Sequence, residues 1–379
     1  METHLKTTRI SLVLIALSLI AIGFIFIYCA SYVYALERFG SPSYFVKKQA
    51  LGLLLGLIAF GSARFIPMSL LYRSTPLLTL AAIAISAMAL LPGFGVVIHG
   101  SHRWLSLKLV TFQPSDLLKI GIVLYTAYFL SQPDRVHRWF IIKCMPLLAV
   151  LGVTSGILLF QPDFGLMITL LATTIIMLLI AQYHVRSILI SIAMFVPVGL
   201  LLIVLKPYRL ARIMTFLNPW KDPQGAGFQI IQSLIAIGAG GIKGLGIAHS
   251  KQKFYYLPMQ HTDFIFSIIA EETGVLGTAV VIALFLALLY CGIKLALAAP
   301  DRYCFFVCIG LVVVMSLQTI INLAVVSGLA PTKGLGLPFI SYGNSALITY
   351  MAMIGLVLNA SSNQQAYSVA SLHVTPTPL

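Results

Sequence analysis

Recurrent apolar runs of about 20 residues constrain the fold of this chain more than any other feature of its sequence. A run of that length crosses the ~30 Å hydrocarbon core of a bilayer as one α-helix. Hydrophobic residues make up 59% of the 379 residues and charged residues 9%, whereas soluble domains carry about 25% charged residues. The sequence therefore predicts an all-α, polytopic membrane protein.

Ten runs have the length of a transmembrane helix, and the fifth and sixth are separated only by the turn QPDFG at 161–165. The first run is longer than the ~7–15-residue core of a cleavable signal peptide, so we expect it to remain as a span. With ten spans, both termini lie on one side. The predicted spans are 10–31, 48–66, 76–94, 114–131, 144–161, 164–182, 187–205, 263–293, 303–326 and 340–360.

The positions of lysine and arginine predict the orientation. The positive-inside rule places both termini in the cytoplasm, because the short segments on their side carry Arg64, Arg73, Arg135, Arg138, Lys143, Arg186, Lys294 and Arg302. The other side also carries cations, many of them in a long loop, and long loops are largely exempt from the rule. We therefore expect residues 206–262 to form a large extracytoplasmic loop between helices 7 and 8. Residues 361–379 are expected to be a disordered cytoplasmic tail of this single domain.

The loop 206–262 is strongly basic, with seven lysine and arginine residues and one carboxylate, Asp222. A basic surface beside a membrane attracts an anion at the headgroup level, such as a phosphate or diphosphate. General surface charge explains the same composition equally well. Apolar residues are interleaved throughout the loop, which favours an ordered loop with short interfacial helices over a flexible linker. Nucleic acid is not an expected partner, because the sequence has no recognition-helix or RNA-binding motif.

Metal-binding patterns are lacking in the sequence. Cys304 and Cys308 share a helical face without further ligands, and the histidines lack metal-ligand spacing. We therefore predict no protein-held metal site and no organic cofactor. Whether Mg²⁺ or Mn²⁺ assists a diphosphate substrate is left open by these residues.

Five motifs resemble, in order and over nearly the whole chain, the SEDS proteins, which polymerise bacterial peptidoglycan. The motifs are HRWLSLKLVTFQPSDLLKI at 102–120, QPDFG at 161–165, FLNPWKDPQGAGFQIIQS at 216–233, SKQKFYYLPMQHTDFIFSIIAEETG at 250–274 and GLAPTKGLGLPFISYGNSAL at 328–347. SKQK before YLP, and PTKGL, are more similar to the division branch, FtsW, than to the elongation branch, RodA. A sporulation relative would share much of this pattern.

The resemblance implies a glycosyltransferase that polymerises lipid II at the outer face of the cytoplasmic membrane, in septal wall synthesis at the division site. It also implies a class B penicillin-binding protein, a transpeptidase, as partner, together with other division proteins. The aspartate of HTDFIF, Asp263, matches the catalytic position of the family. Arg103, Trp104, Lys119 and Lys333 match further family positions and are expected to bind substrate.

Three positions depart from the family pattern. Asp116 replaces the glutamate that follows QPS and keeps its charge, whereas Met259 replaces the glutamate of LPE and loses one. Asn344 stands where the family has the second glycine of SYGGS. The RW pair and HTDFIF are intact, so the departures spare the residues that carry the implied chemistry.

Asp263 has the properties of a general base. Joining lipid-linked sugars needs a base that takes the proton of the acceptor hydroxyl as it attacks the anomeric carbon of the donor. The diphosphate leaving group needs cations more than an acid, and Arg103 and Lys333 would supply them. Because an α-linked diphosphate becomes a β-linked glycan, we expect one inverting displacement. Asp263 as a helix N-cap and Trp104 as an interfacial anchor are the alternative roles.

Glu271 and Glu272 lie ~12–14 Å beyond Asp263 if their helix is regular. Carboxylates inside a membrane are costly and usually pair within the bundle, so we expect structural polar pairing, with Lys119 as a candidate partner. A proton or substrate path is the alternative. Asp163, in QPDFG, is expected to be a turn residue.

A flippase or transporter for lipid II is the main alternative function. A transporter needs a polar route through both leaflets and usually has repeated halves. The sequence shows no internal repeat, and its polar residues concentrate on the predicted outer side. A scaffold of the division machinery would leave Asp263 and the basic loop without a purpose. The sequence therefore favours chemistry at one face of the membrane.

Overall fold

The protein is helical in the computed structural model, which describes residues 2–92, 94–98, 101–106, 111–132, 140–183, 212, 214–225, 227–250, 252 and 260–362. Within these residues the α-helices are α1 (Glu2–Phe39), α2 (Tyr44–Phe65), α3 (Met68–Met88), α4 (Ser115–Ser131), α5 (Phe140–Phe160), α6 (Phe164–Ile180), α7 (Phe228–Gly240), α8 (Ile265–Leu297), α9 (Arg302–Val326) and α10 (Asn344–Ala360). A short 3₁₀ helix, Pro219–Lys221, precedes α7.

Helices lie at nine of the ten predicted spans, and the span at 187–205 lies outside the described residues. The bounds of the third were wrong: α3 starts at Met68 rather than 76, because Pro76 lies inside the helix, and it ends at Met88. Among the described helices, five are long and apolar enough to cross a membrane: Thr3–Phe39, Tyr44–Phe65, Met68–Met88, Ile265–Leu297 and Arg302–Val326. The chain therefore has the helices of a multi-pass membrane protein.

A three-stranded antiparallel sheet between α3 and α4 was not predicted. It consists of β1 (Gly95–Ile98), β2 (Ser101–Ser106) and β3 (Thr111–Phe112), in that order. The β-branched run Val96–Ile98 favours a strand. It lies directly after the predicted span 76–94, and the strand was not distinguished from that apolar run. The sheet matters for function because β2 carries Arg103 and Trp104, and Trp104 pairs with Val96.

The core of the bundle lies around α9, on which Val307, Cys308, Leu311 and Val312 are fully buried. α2 and α10 pack along one another, and Gly355 allows a close approach. A Cβ at Gly355 would lie 2.5 Å from the carbonyl oxygen of Phe60. Small residues at such contacts are the usual means by which membrane helices pack tightly.

α8 is broken at Gly274, which has φ +64° and ψ −161°. The chain that follows α7 fills the break. Four backbone hydrogen bonds of 2.9–3.3 Å join the two segments: Leu245 donates to Glu271, Gly246 to Glu272, Val275 to Gly241 and Leu276 to Ile242. Beyond Gly274, α8 runs for ~35 Å, which is long enough to cross a bilayer. The break therefore divides α8 into a short buried segment after Asp263 and a second segment that is long enough to cross the membrane.

We predict that Gly274→Ala destabilises the protein. The new Cβ would lie 2.5 Å from the Gly244 nitrogen and from the Ile242 oxygen, and an L-residue at this φ is itself strained by ~1–3 kcal/mol. A lowered midpoint of thermal unfolding in detergent would show the effect. The matched control is Gly238→Ala on α7, where nothing lies within 4 Å of the new Cβ and helix propensity improves. If the two variants had equal midpoints of thermal unfolding, the close contact at Gly274 would not contribute to stability as we predict.

Candidate active site

A cavity of about 620 Å³ lies where β2, the α5–α6 turn, the start of α4 and residues 334–347 meet. Four of the five predicted substrate or catalytic residues line it: Arg103, Trp104, Lys119 and Asp263. Lys333 does not, although its neighbour Gly334 does. The structure therefore brings together residues that are far apart in sequence, from Arg103 to Asp263.

Asp263 lies on the turn before α8, and Phe264 occupies the N-cap position without any side-chain capping bond. The alternative that Asp263 is a helix cap is therefore wrong. Its backbone carbonyl accepts a 2.8 Å hydrogen bond from Asn322 Nδ2. Among the described residues, no donor bonds its carboxylate, so both carboxylate oxygens remain available to a ligand.

Burial raises the pKa of the Asp263 carboxyl to about 6. The negative charge of Asp163 also raises this pKa, whereas the positive charges of Arg103 and Arg212 lower it. A general base works best when its pKa lies near the working pH. Asp263 is therefore still ionised at neutral pH, yet basic enough to accept a proton.

Arg103 reaches the cavity from β2, but acceptors of the α5–α6 turn hold its guanidinium. Its Nε donates to the Gln161 carbonyl at 2.6 Å and its Nη2 to the Pro162 carbonyl, and its Nη1 lies 3.8 Å from Asp163 Oδ2. Asp163 also caps α6 by accepting from the Leu166 N–H at 3.2 Å, which confirms its turn role. Arg103 thus fastens β2 to this turn.

Lys119 and Asp116 form a buried ion pair in the cavity wall, 2.8 Å apart and one turn apart on α4. Lys119 Nζ also donates to Tyr350 Oη at 3.2 Å, and Ser345 Oγ donates to Asp116 at 2.8 Å. The expected pairing of Lys119 with Glu271 or Glu272 is therefore wrong. The partner of Lys119 is Asp116, three residues earlier on the same helix, which the sequence analysis did not consider as its partner.

Glu271 and Glu272 instead accept hydrogen bonds from Ala248, Ser250 and Gln252. Glu272 accepts from the N–H groups of Ala248 at 2.9 Å and Ser250 at 3.2 Å. Glu271 accepts from the Ser250 hydroxyl and from the Gln252 N–H, the latter at 3.4 Å. Both glutamates are 1% exposed, and these donors offset the cost of burying them.

Trp104 and Lys333 are both half-buried, but in different places. Trp104 lines the cavity beside Arg103. Lys333 lies against the first turn of α6, since a Cβ built at Gly165 would be 3.3 Å from its Cβ, and burial lowers the pKa of its ammonium group.

Arg212 also lines the cavity, and sequence reasoning did not single it out. Its only sequence signal is its place among the seven cations of the basic loop. In the part of the chain that the structure describes, no three His, Cys, Asp or Glu side chains are grouped so as to hold a metal ion.

The sequence pattern of the FtsW, RodA and SpoVE cell cycle proteins matches residues 9–366. The chain belongs to this family. It is 38% identical over 352 residues to a probable peptidoglycan glycosyltransferase FtsW of Geobacter sp. (strain M18), covering 93% of this chain and 96% of that protein. Stage V sporulation protein E of Bacillus subtilis (strain 168) is also 38% identical over 372 residues, with 95% and 99% of the two chains covered.

Solved structures show the same fold in other members of the family. A chain of a peptidoglycan synthase complex that coordinates polymerization and crosslinking matches with a TM-score of 0.75 and 30% identity, covering 92% of this chain and 96% of that one. The rod shape determining protein RodA of Thermus thermophilus matches with a TM-score of 0.68 and 26% identity, over 92% and 95% of the chains. The resemblance drawn from the five motifs is therefore confirmed.

We predict that Lys119→Met destabilises the protein by about 3–5 kcal/mol, because the buried charge of Asp116 loses its partner. Thermal unfolding in detergent measures the loss. The double variant Asp116→Leu with Lys119→Met removes both charges and should recover most of the stability. If the single and double variants unfold at the same temperature, the pair does not interact as the geometry indicates.

The raised pKa of Asp263 predicts how stability depends on pH. Because the folded-state pKa, about 6, exceeds the ordinary 3.8, this carboxyl stabilises the fold at low pH, and that contribution is lost as the pH rises through 6. Asp263→Asn removes the dependence. The unfolding midpoint of the wild type should therefore fall relative to that of Asp263→Asn between pH 4 and pH 7. A constant difference across this range would contradict the raised pKa.

Proposed function

We propose that this chain is a peptidoglycan glycosyltransferase that polymerises lipid II at the outer face of the cytoplasmic membrane during septal wall synthesis. The observation that carries the proposal is the unbonded carboxylate of Asp263, which shares a polar cavity with Arg103, Lys119 and Arg212. The names of relatives such as the Geobacter protein support the reaction and its place in division.

The proposal includes ten spans, both termini in the cytoplasm and the loop 206–262 outside. The positive-inside rule and the helices that lie at nine of the ten predicted spans support this topology. It also includes a class B penicillin-binding protein as partner, with other division proteins. The similarity to a chain of a complex that couples polymerization to crosslinking supports such a partner.

In the proposed reaction, an Asp263 carboxylate oxygen takes the proton from the acceptor sugar hydroxyl. The hydroxyl oxygen then bonds to the anomeric carbon of the donor, and the bond from that carbon to the lipid diphosphate breaks with its electron pair. Attack opposite the leaving group inverts the anomeric carbon. A positioned general base of this kind contributes about 10²–10⁴-fold to a rate.

A lipid II flippase is the second candidate, because the cavity reaches beyond Asp263 to the Asp116–Lys119 pair buried among the helices. Fully buried apolar side chains flank that pair on α4, with Leu118 at 0% and Ile122 at 1% exposure. Along α4, Lys119 is the last residue that lines the cavity. This arrangement favours chemistry over transport.

We predict that Asp263→Asn lowers glycan synthesis by about 10²–10⁴-fold, because the amide cannot accept the proton. The measurement is single-turnover polymer formation from labelled lipid II by the purified chain with its cognate transpeptidase. Asp301→Asn is the matched control, since Asp301 caps α9 away from the cavity and asparagine caps nearly as well. It should polymerise at the wild-type rate.

The same preparations, reconstituted in vesicles, distinguish the two functions. Glycan chains formed by the wild type and lost in Asp263→Asn support the polymerase. Transbilayer movement of lipid II without any polymer would support the flippase, and full activity of Asp263→Asn would remove Asp263 from the chemistry.

A further inference from the structure

Among the described residues, three cations line the cavity, and two of them are paired with a carboxylate. Arg103 lies 3.8 Å from Asp163, and Lys119 lies 2.8 Å from Asp116. The third, Arg212, has no carboxylate partner among the described residues. The positive charge available to a ligand in this cavity is therefore concentrated on Arg212.

Arg103 and Arg212 also differ in their hydrogen bonds. The guanidinium of Arg103 donates to the carbonyls of Gln161 and Pro162, which fixes it on the α5–α6 turn. Arg212 is exposed and makes one long contact, from its Nη1 to the Thr332 carbonyl at 3.4 Å. Because a guanidinium has five N–H donors, most of those on Arg212 are free to bind an anion.

The position of Arg212 suits a ligand that also reaches Asp263. Its charge acts on the Asp263 carboxyl, its Nη1 contacts the Thr332 carbonyl, and it lines the same cavity as Asp263 and Gly334. A Cβ at Gly334 would lie 3.6 Å from Asp263 Oδ2 and 3.7 Å from Arg103 Nη1. Because Gly334 has no side chain, the space next to the carboxylate stays part of the cavity, which Arg212 also lines.

We propose that Arg212 binds the diphosphate of the lipid-linked donor, whereas Arg103 and Lys119 hold the walls of the cavity in place. The proposal rests on the proposed function and deepens it. As the bond between the anomeric carbon and the diphosphate oxygen breaks, its electron pair passes to that oxygen. A guanidinium that donates two parallel hydrogen bonds to the phosphates stabilises the charge that develops there.

The first test is binding of undecaprenyl diphosphate to the purified full chain in detergent. Arg212→Ala should weaken binding by ~10–100-fold, the usual cost of losing a charge-assisted hydrogen-bonded pair. Arg212→Lys should recover part of the loss, since lysine keeps the charge without the bidentate geometry. Unfolding midpoints should stay at the wild-type value, because Arg212 is exposed.

Two controls make the test specific. Lys243→Ala removes an exposed cation of the same loop that does not line the cavity, and it should bind like the wild type. Phosphatidylglycerol, which offers a single phosphodiester, should not displace the diphosphate. Displacement by it at equal concentration would mean that the site takes any membrane phosphate and would overturn the assignment.

Wild-type binding by Arg212→Ala, or an equal loss in Lys243→Ala, would overturn the proposal. Polymerisation assays on the same variants distinguish this failure from failure of the proposed function. If the wild type polymerises lipid II and Arg212→Ala matches it, the role of Arg212 is wrong and the function stands. If binding depends on Arg212 but no glycan forms in the wild type, the diphosphate site stands and the function is wrong.

Discussion

The side-chain amide of Asn322 holds the candidate active site together. Its Nδ2 donates to the backbone carbonyls of both Asp263, at 2.8 Å, and Leu335, at 2.7 Å. Ser341 adds a second link between the same two segments, because its hydroxyl donates to Thr262 and accepts from Leu337, both at 2.7 Å. Backbone groups carry these bonds. These bonds therefore position Asp263 through its backbone, and its carboxylate is left without a hydrogen bond to the described residues.

Asn322 can act in this way because α9 is the buried centre of the bundle. Hydrogen bonds are stronger electrostatically in such an interior than in water, and bonded groups there resist displacement. The turn before α8 and the segment before α10 both meet α9 at this point. Their junction forms one wall of the cavity, and β2 with the α5–α6 turn forms another.

Some charged side chains of the site form ion pairs with each other, and others do not. Asp116 with Lys119, and Asp163 with Arg103, neutralise each other and fix neighbouring elements. Asp263 and Arg212 have no such partner among the described residues, which leaves a base and a cation for substrate. Burial raises the pKa of the unpaired carboxyl, as expected for a group whose charged form lacks hydrogen-bond donors.

The sequence predicted the helical elements well, because a span of ~20 apolar residues has few alternatives to a helix in a membrane. It did not predict the sheet, whose first strand follows closely after the third apolar run. Nor did it predict the break of α8, which depends on close contact between Gly274 and Gly244. Asp263, Arg103, Trp104 and Lys119 were found through their motifs and line the cavity. The spacing of Asp116 and Lys119, three residues apart in a predicted helix, already allowed their pairing, although the sequence analysis did not use it. The place of Arg212 in the cavity depends on the fold and could not be assigned from the sequence.

In the proposed mechanism, Asp263 accepts a proton from the acceptor sugar while the donor diphosphate lies in the same cavity. A cryo-EM structure of the Asp263→Asn variant, trapped with lipid-linked donor and acceptor, tests it most directly. We expect the acceptor hydroxyl at ~3 Å from the side chain of residue 263, the distance at which a general base acts. The donor diphosphate is expected against Arg212. Sugars bound outside this cavity, or an acceptor hydroxyl beyond hydrogen-bonding reach of residue 263, would contradict the account.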